Sequence, residues 1–352
     1  TIASMQYSLF QIFKYSKFMV VAILLCMGFV LTSCPSSIQP PVTPVDLTPA
    51  GYTLKVNMPA EYKNGIPAHG LLPSIKVEIS DANGKMAENI KVTYQVKTGG
   101  GNVDRPSDTL STATTISWQL GYQFGQQTME ISAYKAGTST EHVSGSPFTV
   151  SVNTATIEDV DGNLYNLVQN GAKTWMGANM STTKYRDGTP LLSDLDSAGW
   201  RDATEGAYVH ANNDAGNDKT YGLMYNQAAV ESVKGICPKS YHVATFAEWE
   251  ALIDLAGGES EAGNTLRSKD NWISADPVST DSMLIAIQPA GNYNRGSFAT
   301  NFGYQVILWS ANPDGEPDDS DLPFFTDGGY MFYVVAGIGD DRSGLGCRCV
   351  HV

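Results

Sequence analysis

Hydrophobic and polar residues alternate in five segments of the first half of the chain. The alternation covers residues 75–79, 90–96, 116–120, 129–133 and 148–152. Apolar side chains at every second position are typical of β-strands with one buried face. Turn-forming stretches such as Gly99–Asn102 separate the segments, and no helical pattern lies between them. The pattern therefore predicts a β-sandwich over residues 51–152.

The second half of the chain has a different pattern, in which short apolar segments alternate with long loops rich in Gly, Asn, Asp, Tyr and Trp. One helix is predicted over about Phe246–Ala256, because its apolar residues fall on one face. Thr245 and Glu248 form a capping-box pattern at its start, and two glycines follow its end. A weaker helical pattern covers about residues 224–233.

The N-terminal pattern indicates export. Two lysines precede an apolar run from Phe18 to Leu31, about 14 residues long, whereas a membrane-spanning helix needs about 17 to 25. The run ends in Leu-Thr-Ser-Cys at Cys34 and resembles the lipobox of bacterial lipoproteins, in which the cysteine is acylated and becomes the N-terminus. We therefore expect a signal peptide over residues 1–33, lipidation of Cys34 and a proline-rich tether over residues 34–50. The alternative is an ordinary secretory signal.

The net charge of the chain limits the classes of partner that it is expected to bind. The formal net charge is -14, and lysine and arginine form no cluster along the sequence. Nucleic acids and anionic lipid surfaces both require a basic footprint. We therefore expect no nucleic-acid partner, and a lipid anchor as the link to the membrane.

Cysteine usage predicts one disulfide. Cys26 would leave with the signal peptide and Cys34 would be lipidated. The remaining Cys237, Cys347 and Cys349 would then lie in an oxidising compartment. One pair and one further thiol follow from this count.

Two family resemblances cover most of the mature chain. Residues 96–103, 116–121 and 127–133 resemble the bacterial immunoglobulin-like repeats of intimin and invasin stalks. In the second half, eight motifs occur in the order Asp159–Tyr165, Lys173–Met180, Tyr185–Pro190, Tyr221–Asn226, Cys237–Val243, Ala247–Trp249, Trp309-Ser310 and Arg348–Val350. Over residues 157–352 these motifs resemble the Fibrobacter succinogenes major paralogous domain.

The resemblances imply an all-β immunoglobulin-like sandwich followed by an α+β C-type-lectin-like domain. They also imply a disulfide between Cys237 and Cys349 that ties the last strand to the segment before the helix. A bridge from Cys237 to Cys347 stays open, because residues two apart on a strand point to the same face. The second family is similar in parts to the sulfatase-modifying factors, whose reactive cysteine pair is not matched by the closely spaced Cys347 and Cys349.

Two acidic stretches are candidate calcium-binding loops. The sequence argues against calcium in the first and leaves it open in the second. Asp159–Asn163 begins like an EF-hand loop, but the sixth and twelfth positions hold Leu164 and Asn170 instead of glycine and glutamate. A β-hairpin turn explains this stretch better. The acidic loop over residues 312–321 contains a Glu-Pro-Asp triplet that is similar to the calcium and sugar triplet of C-type lectins. Its calcium candidates are Glu316, Asp318, Asp319 and Asp321, and the alternative is a solvated loop without cofactor.

An aromatic and amide-rich surface is the predicted ligand site. Flat rings stack on the apolar faces of sugars, while amides bind hydroxyl groups. The candidate residues are Tyr293, Asn294, Arg295, Trp309, Asp314, Glu316 and Asp318. The alternative is that several of these rings, with the neighbouring Phe298, Phe302 and Tyr304, belong to the core.

Catalytic motifs are absent from the sequence. It contains no Gly-x-Ser-x-Gly elbow, no His-Glu-x-x-His pair and no histidine spacing suited to a metal. We therefore expect no enzyme and no catalytic residues. The leading hypothesis is an outer-membrane lipoprotein whose lectin-like tip binds glycan or protein, without an indication of the membrane face. The alternatives are a pilus-tip or structural envelope subunit and a divergent sulfatase-modifying-type enzyme.

Overall fold

The computed structural model describes residues 51–60, 62, 65–135, 137–273, 279–298, 301–311, 321–326, 331–335 and 342–352. The predicted signal peptide, Cys34, the tether over residues 34–50 and the acidic residues Asp314, Glu316, Asp318 and Asp319 lie outside these residues. Asp321 is described only as the first residue of a strand. Within the described ranges, no helix is long and apolar enough to cross a membrane.

The first half of the described chain consists of two four-stranded antiparallel sheets. Their orders are β1-β2-β6-β4 and β5-β3-β7-β8. The strands are β1 (Thr53–Asn57), β2 (Leu71–Ser80), β3 (Ile90–Thr98), β4 (Gly101–Val103), β5 (Ser107–Leu110), β6 (Thr114–Leu120), β7 (Gln126–Tyr134) and β8 (Phe148–Asn153). Side chains from both sheets share one core, which confirms the predicted β-sandwich.

The alternating pattern explains this core. Ile75 and Val77 of β2 are fully buried, whereas Lys76 between them is exposed. Trp118 of β6 and Ile131 of β7 bury their side chains in the same core. All five alternating segments are strands, and the structure adds β1, β4 and β5, which the pattern did not predict.

The second half of the chain is built from short strands and helices. Two five-stranded sheets have the orders β14-β21-β11-β10-β9 and β12-β13-β20-β15-β16, and a third sheet has the order β17-β18-β19. The first of these strands are β9 (Thr156–Glu158), β10 (Leu164–Asn170), β11 (Lys173–Met176), β12 (Tyr208–His210), β13 (Leu223–Tyr225) and β14 (Tyr241–Val243). The others are β15 (Tyr293–Asn294), β16 (Ser297–Phe298), β17 (Gln305–Ile307), β18 (Asp321–Thr326), β19 (Met331–Val335), β20 (Ser343–Gly346) and β21 (Cys349–His351).

Five α-helices lie between these strands in the described chain. They are α1 (Ser197–Asp202), α2 (Asp218–Tyr221), α3 (Gln227–Val230), α4 (Phe246–Leu255) and α5 (Glu259–Leu266). The predicted helix is confirmed as α4, including the reciprocal capping box between Thr245 and Glu248. Its end is followed by Gly257 and Gly258, both with positive φ angles.

The second predicted helix, over about residues 224–233, is largely wrong. Met224 lies in β13, which is paired on both sides, by β12 and by β20. Only Gln227–Val230 is helical, and it begins where the Asn226 side chain accepts a hydrogen bond from the Ala229 amide. All three residues of β13 are buried, and a continuous apolar run does not distinguish a buried strand from a helix.

A disulfide joins Cys237 to Cys349, with their Cα atoms 5.9 Å apart, as the family resemblance implied. Cys349 lies in β21, which is paired between β14 and β11. The bridge therefore connects the end of the chain to the segment that enters β14 and α4. Cys347 is free and buried, so the alternative bridge is excluded.

The two halves are joined by backbone hydrogen bonds. We call this region the joint, meaning residues 65–70 of the sandwich and the segment 167–169 of β10. The Ala68 amide donates to the Leu167 carbonyl at 2.8 Å, and the Gln169 amide donates to the Ala68 carbonyl at 2.7 Å. Ala68 is fully buried in the core of the second half. The sandwich thus contributes a residue to the packing of its neighbour.

Candidate ligand-binding surface

A tight hairpin presents two of the predicted ligand residues to solvent. β15 and β16 pair Tyr293 with Phe298 and Asn294 with Ser297, so only Arg295 and Gly296 form the turn. Both turn residues have positive φ, 51° and 84°, as a two-residue type I′ hairpin requires. The Asn294 and Arg295 side chains are exposed at its tip.

Buried aromatic contacts anchor the hairpin. Tyr293 is only 6% exposed and meets Trp200 edge to face, with ring centroids 4.9 Å apart. Its ring also contacts Phe298 at 4.6 Å. The Ser197 hydroxyl donates to the Gly296 carbonyl at 2.6 Å, and a side chain at Gly296 would collide with the Ser197 backbone. The buried contacts therefore fix the hairpin to the core, while the side chains at its tip are exposed to solvent.

The predicted role of two aromatic residues needs correction. Tyr293 and Trp309 are 6% and 5% exposed. The indole nitrogen of Trp309 donates to the Tyr225 carbonyl at 2.7 Å, deep in the core. Buried rings offer no face on which a sugar can stack, so both residues support the surface instead of forming it.

The segment that follows the hairpin contains a second exposed apolar residue, Tyr304, which is 44% exposed. Ile273, which precedes the hairpin in sequence and is 61% exposed, donates its amide hydrogen to the Gly303 carbonyl of this segment. Phe302 is half-buried and its ring lies 4.7 Å from that of Tyr221. A side-chain hydrogen bond from Asn301 to Asn292 links this segment to the residues just before β15. We call Asn294, Arg295, Phe302, Tyr304 and Ile273 together the hairpin surface.

His242 takes part in a structural network. Its Nε2 lies 2.8 Å from one carboxylate oxygen of Glu248, and Lys173 Nζ lies 2.9 Å from the other. Burial alone would raise the pKa of Glu248. Hydrogen bonds from His242, Lys173 and the Thr245 amide outweigh burial and lower the pKa to about 2. These contacts fix the first turn of α4.

The Asp159–Asn163 stretch forms the predicted hairpin turn, between β9 and β10. Asp159 Oδ1 accepts hydrogen bonds from the amides of Asp161 and Asn163, and Oδ2 accepts one from the Tyr165 hydroxyl at 2.6 Å. These carboxylate oxygens are engaged by protein donors. Across the described ranges, no three His, Cys, Asp or Glu side chains are grouped so that they could hold a metal ion.

Beside this turn lies a cleft of about 710 Å³, lined in part by Asp161 and Asp218. Lys184 Nζ contacts Asp161 at 2.7 Å. Burial alone would raise the pKa of Asp161, but hydrogen bonds from Lys184, Thr183 and Thr182 lower it to about 2. Asp218 is bonded to His210 Nδ1 at 2.8 Å. Asp161 is therefore held in an ion pair, and Asp218 is engaged by a hydrogen bond to His210.

The anchoring of the hairpin and the buried arginines were not predicted from the sequence. The stretch from Tyr293 to Phe298, with a two-residue turn that ends in glycine, carries a hairpin signal that was available. Arg348 gave no such signal. It is fully buried, and its guanidinium donates to the Met176 carbonyl and to Asn179 Oδ1, both at 2.9 Å. Only the three-dimensional structure reveals these partners.

Comparison with known proteins finds one family. The Fibrobacter succinogenes major domain matches residues 168–351. No curated protein shows a significant match. Among solved structures, the adhesin InvE of Yersinia pseudotuberculosis is similar at 13% identity, over 85% of this chain and 71% of that chain, with a TM-score of 0.28, a value too low to establish a shared fold. The family match spans more than half of the chain, and the protein therefore belongs to the Fibrobacter succinogenes major domain family.

Proposed function

We propose that this protein is a non-enzymatic lipoprotein of the cell envelope that binds a glycan or protein ligand through the hairpin surface. The observation that carries the proposal is the exposed Asn294-Arg295 tip on a buried aromatic anchor. Preorganised polar groups lose little conformational entropy on binding. The tip offers an amide and a planar guanidinium, which suit hydroxyl and carboxylate groups.

The backbone at Arg295 supports this role. A left-handed conformation is unfavourable for a residue other than glycine, asparagine or aspartate, by about 1 kcal/mol. Arg295 adopts it with φ 51°. Strained residues of this kind concentrate at functional sites, provided that the surrounding structure holds them. Here the hairpin pairing and the Ser197 contact to Gly296 hold the turn.

We further propose a C-type-lectin-like fold for the second half and an immunoglobulin-like role for the sandwich as a spacer. The start and the end of the second half meet in one sheet, where β10 and β21 both flank β11. The Cys237–Cys349 disulfide reinforces this closure. The same bridge and the burial of Cys347 support a non-enzymatic role, because the three cysteines of the described residues leave no accessible pair for sulfatase-modifying chemistry.

Membrane attachment is proposed through Cys34, on the outer membrane. Cys34→Ser in the full-length chain should abolish acylation and shift the protein from the membrane fraction to the soluble fraction. The matched control is Ser33→Ala, which changes the neighbouring small residue and keeps the acylated thiol. Retention of the Cys34→Ser protein in membranes, with the signal processed, would contradict the anchor.

Ligand binding is tested with the full-length protein on a glycan array, with and without calcium. Arg295→Asn keeps a residue that tolerates the left-handed turn while it removes the guanidinium. We expect at least a tenfold loss of binding. Arg105→Asn is the matched control, since Arg105 is an exposed arginine of the sandwich. Equal loss in both variants, or no loss in either, would reject the hairpin surface. A requirement for calcium would implicate the predicted acidic loop.

A further inference from the structure

A second cleft lies at the joint between the sandwich and the second half, away from the hairpin surface. It encloses about 650 Å³, a size typical of small-molecule sites. The sandwich contributes His69, Leu71 and Tyr122, and the second half contributes Gln169 and Leu255. The backbone pairing of the joint holds these two walls in place.

The aromatic wall is preorganised. The His69 ring stacks on Tyr122, with centroids 3.9 Å apart and an interplanar angle of 18°. His69 Nδ1 lies 3.2 Å from the Gln169 carbonyl oxygen. Since a carbonyl can only accept, Nδ1 carries the hydrogen and Nε2 of the neutral ring is an acceptor. His69 also has a positive φ of 58°, and the Gln119 side chain donates to its carbonyl.

Two polar groups of this wall can form hydrogen bonds with a ligand. Among the described residues, no protein group forms a hydrogen bond with His69 Nε2 or with the Tyr122 hydroxyl. Partial burial raises the pKa of Tyr122, so that the hydroxyl keeps its proton. The cleft therefore combines an acceptor, a donor and two stacked rings.

Apolar residues complete the site. Leu71 is 50% exposed and Leu255 is 52% exposed, so two large apolar side chains from different halves of the molecule line one cleft. No charged side chain belongs to the described part of the lining, although the chain as a whole carries a net charge of -14. A charged ligand would find no counter-ion there. A ligand with apolar faces and neutral hydroxyl groups fits these walls.

We propose that the joint cleft binds a neutral hexopyranose residue. Its apolar ring face packs against Leu71 and Leu255, and its hydroxyl groups bond to Tyr122, His69 Nε2 and the Gln119 amide oxygen. An extended peptide fits less well. Peptides often add a strand to a free sheet edge. Here Ala68 already pairs with Val168 of β10, and Ile66 pairs with Thr154. The site shares no residue with the hairpin surface and stands independently of it.

The test is saturation-transfer NMR on the full-length protein with three probes: methyl β-galactopyranoside, methyl α-mannopyranoside and N-acetylglucosamine. We expect saturation transfer to at least one of them. The double variant Leu71→Asn/Leu255→Asn should weaken binding by about tenfold or more, because a buried leucine contact contributes on the order of 1 kcal/mol. Both substitutions are at half-exposed positions, so folding is preserved. Tyr122→Phe removes only the hydroxyl and should weaken binding less.

Two variants are the controls. Leu164→Asn removes an exposed leucine of β10 that is not part of the cleft, and it should leave saturation transfer unchanged. The second control is the Arg295→Asn background, in which all measurements are repeated so that sugar bound at the hairpin surface does not contribute. The double variant should lose saturation transfer in that background as well. Absence of saturation transfer from all three sugars overturns the proposal. Binding that survives the double variant in the Arg295→Asn background, or preferential binding of the neutral peptide acetyl-Leu-Tyr-Leu-amide in the same cleft, overturns it as well.

Discussion

The sandwich and the second half reach stability by different routes. In the sandwich, strands of up to ten residues form regular ladders around one core. Among the described residues of the second half, the longest strand has seven residues and many have two or three. Short strands leave more backbone groups outside ladders, and buried backbone groups need partners. The irregular half must therefore supply those hydrogen-bond partners from side chains.

Arginine shows the difference most directly. In the sandwich, Arg105 is exposed and pairs with Asp104 at the surface. In the second half, Arg267 and Arg348 are fully buried. Arg267 donates to the carbonyls of Gly263 and Thr326, and Arg348 donates to the Met176 carbonyl. A guanidinium has five donors in a fixed plane, so one arginine can satisfy carbonyls from distant segments that no strand reaches.

The largest expected effect comes from the disulfide. Cys237 and Cys349 are 112 residues apart in sequence. The chain-entropy model assigns a bridge over such a loop about 4 to 5 kcal/mol. Cys237→Ala/Cys349→Ala should lower the unfolding free energy of the second half by that order. Hydrogen exchange in urea, followed by mass spectrometry, reports both halves separately.

The sandwich contains no cysteine, so any change in its exchange must be transmitted through the joint. The second half reports the loss of the bridge, and the sandwich reports the coupling between the two halves. Tryptic peptide mapping without reductant is the second check. Cleavage after Arg348 separates Cys347 from Cys349, and the peptide linked to Cys237 must contain Cys349. A peptide with Cys347 would contradict the observed pairing.

Arg348→Lys should have the next largest effect. The lysine ammonium cannot reproduce the two hydrogen bonds that the guanidinium makes to Met176 and Asn179. Breaking the interactions of a buried charge costs about 3 kcal/mol. Urea denaturation should show this loss. Arg105→Lys, at an exposed position, should show no measurable change. Equal losses of unfolding free energy at both positions would show that the buried arginine does not stabilise the fold more than the surface arginine.

The joint should couple the two halves. Ala68→Leu places a larger side chain in a fully buried position, and overpacking costs about 1–3 kcal/mol. We expect the two halves to unfold together in the wild-type protein and separately in this variant. Ala87→Leu is the control, because Ala87 is buried in the sandwich core alone. If Ala87→Leu separates the transitions and Ala68→Leu does not, the joint is not the coupling element.

The predictability of the two halves differs for the same physical reason. Alternation over 90–96 identifies β3 directly, since strand burial follows a period of two. β13 has no such alternation, because all three of its residues are buried between two neighbouring strands. Its hydrophobic run therefore gave a false helix. α4 was predictable because its cap and its apolar face are both local in sequence.

The candidate site was predictable only in part. The sequence placed aromatic and amide residues together near Tyr293, but it could not tell an anchor from an exposed ring. That distinction depends on Trp200, almost 100 residues earlier in the sequence. The joint cleft depends on the approach of residues 65–70 to β10, and no local pattern encodes it. The burial of Tyr293 and the formation of the joint cleft both depend on contacts between segments that are distant in sequence.

Acid should destabilise the folded protein through Glu248. The pKa of Glu248 is lowered from 4.5 to about 2 in the folded protein. The folded state therefore favours the ionised carboxylate, and the unfolded chain takes up the proton at higher pH. This contribution to stability is complete above about pH 4.5 and is lost as the pH falls towards 2.

Glu248→Gln keeps the capping box but cannot titrate. The variant should be less stable than the wild-type protein at pH 6, and the difference should vanish near pH 2. Urea denaturation at several pH values measures this difference in unfolding free energy. The control is Glu250→Gln, a substitution of the exposed glutamate two residues further along α4. A constant difference at all pH values would show that the ion pairs of Glu248 do not support the fold.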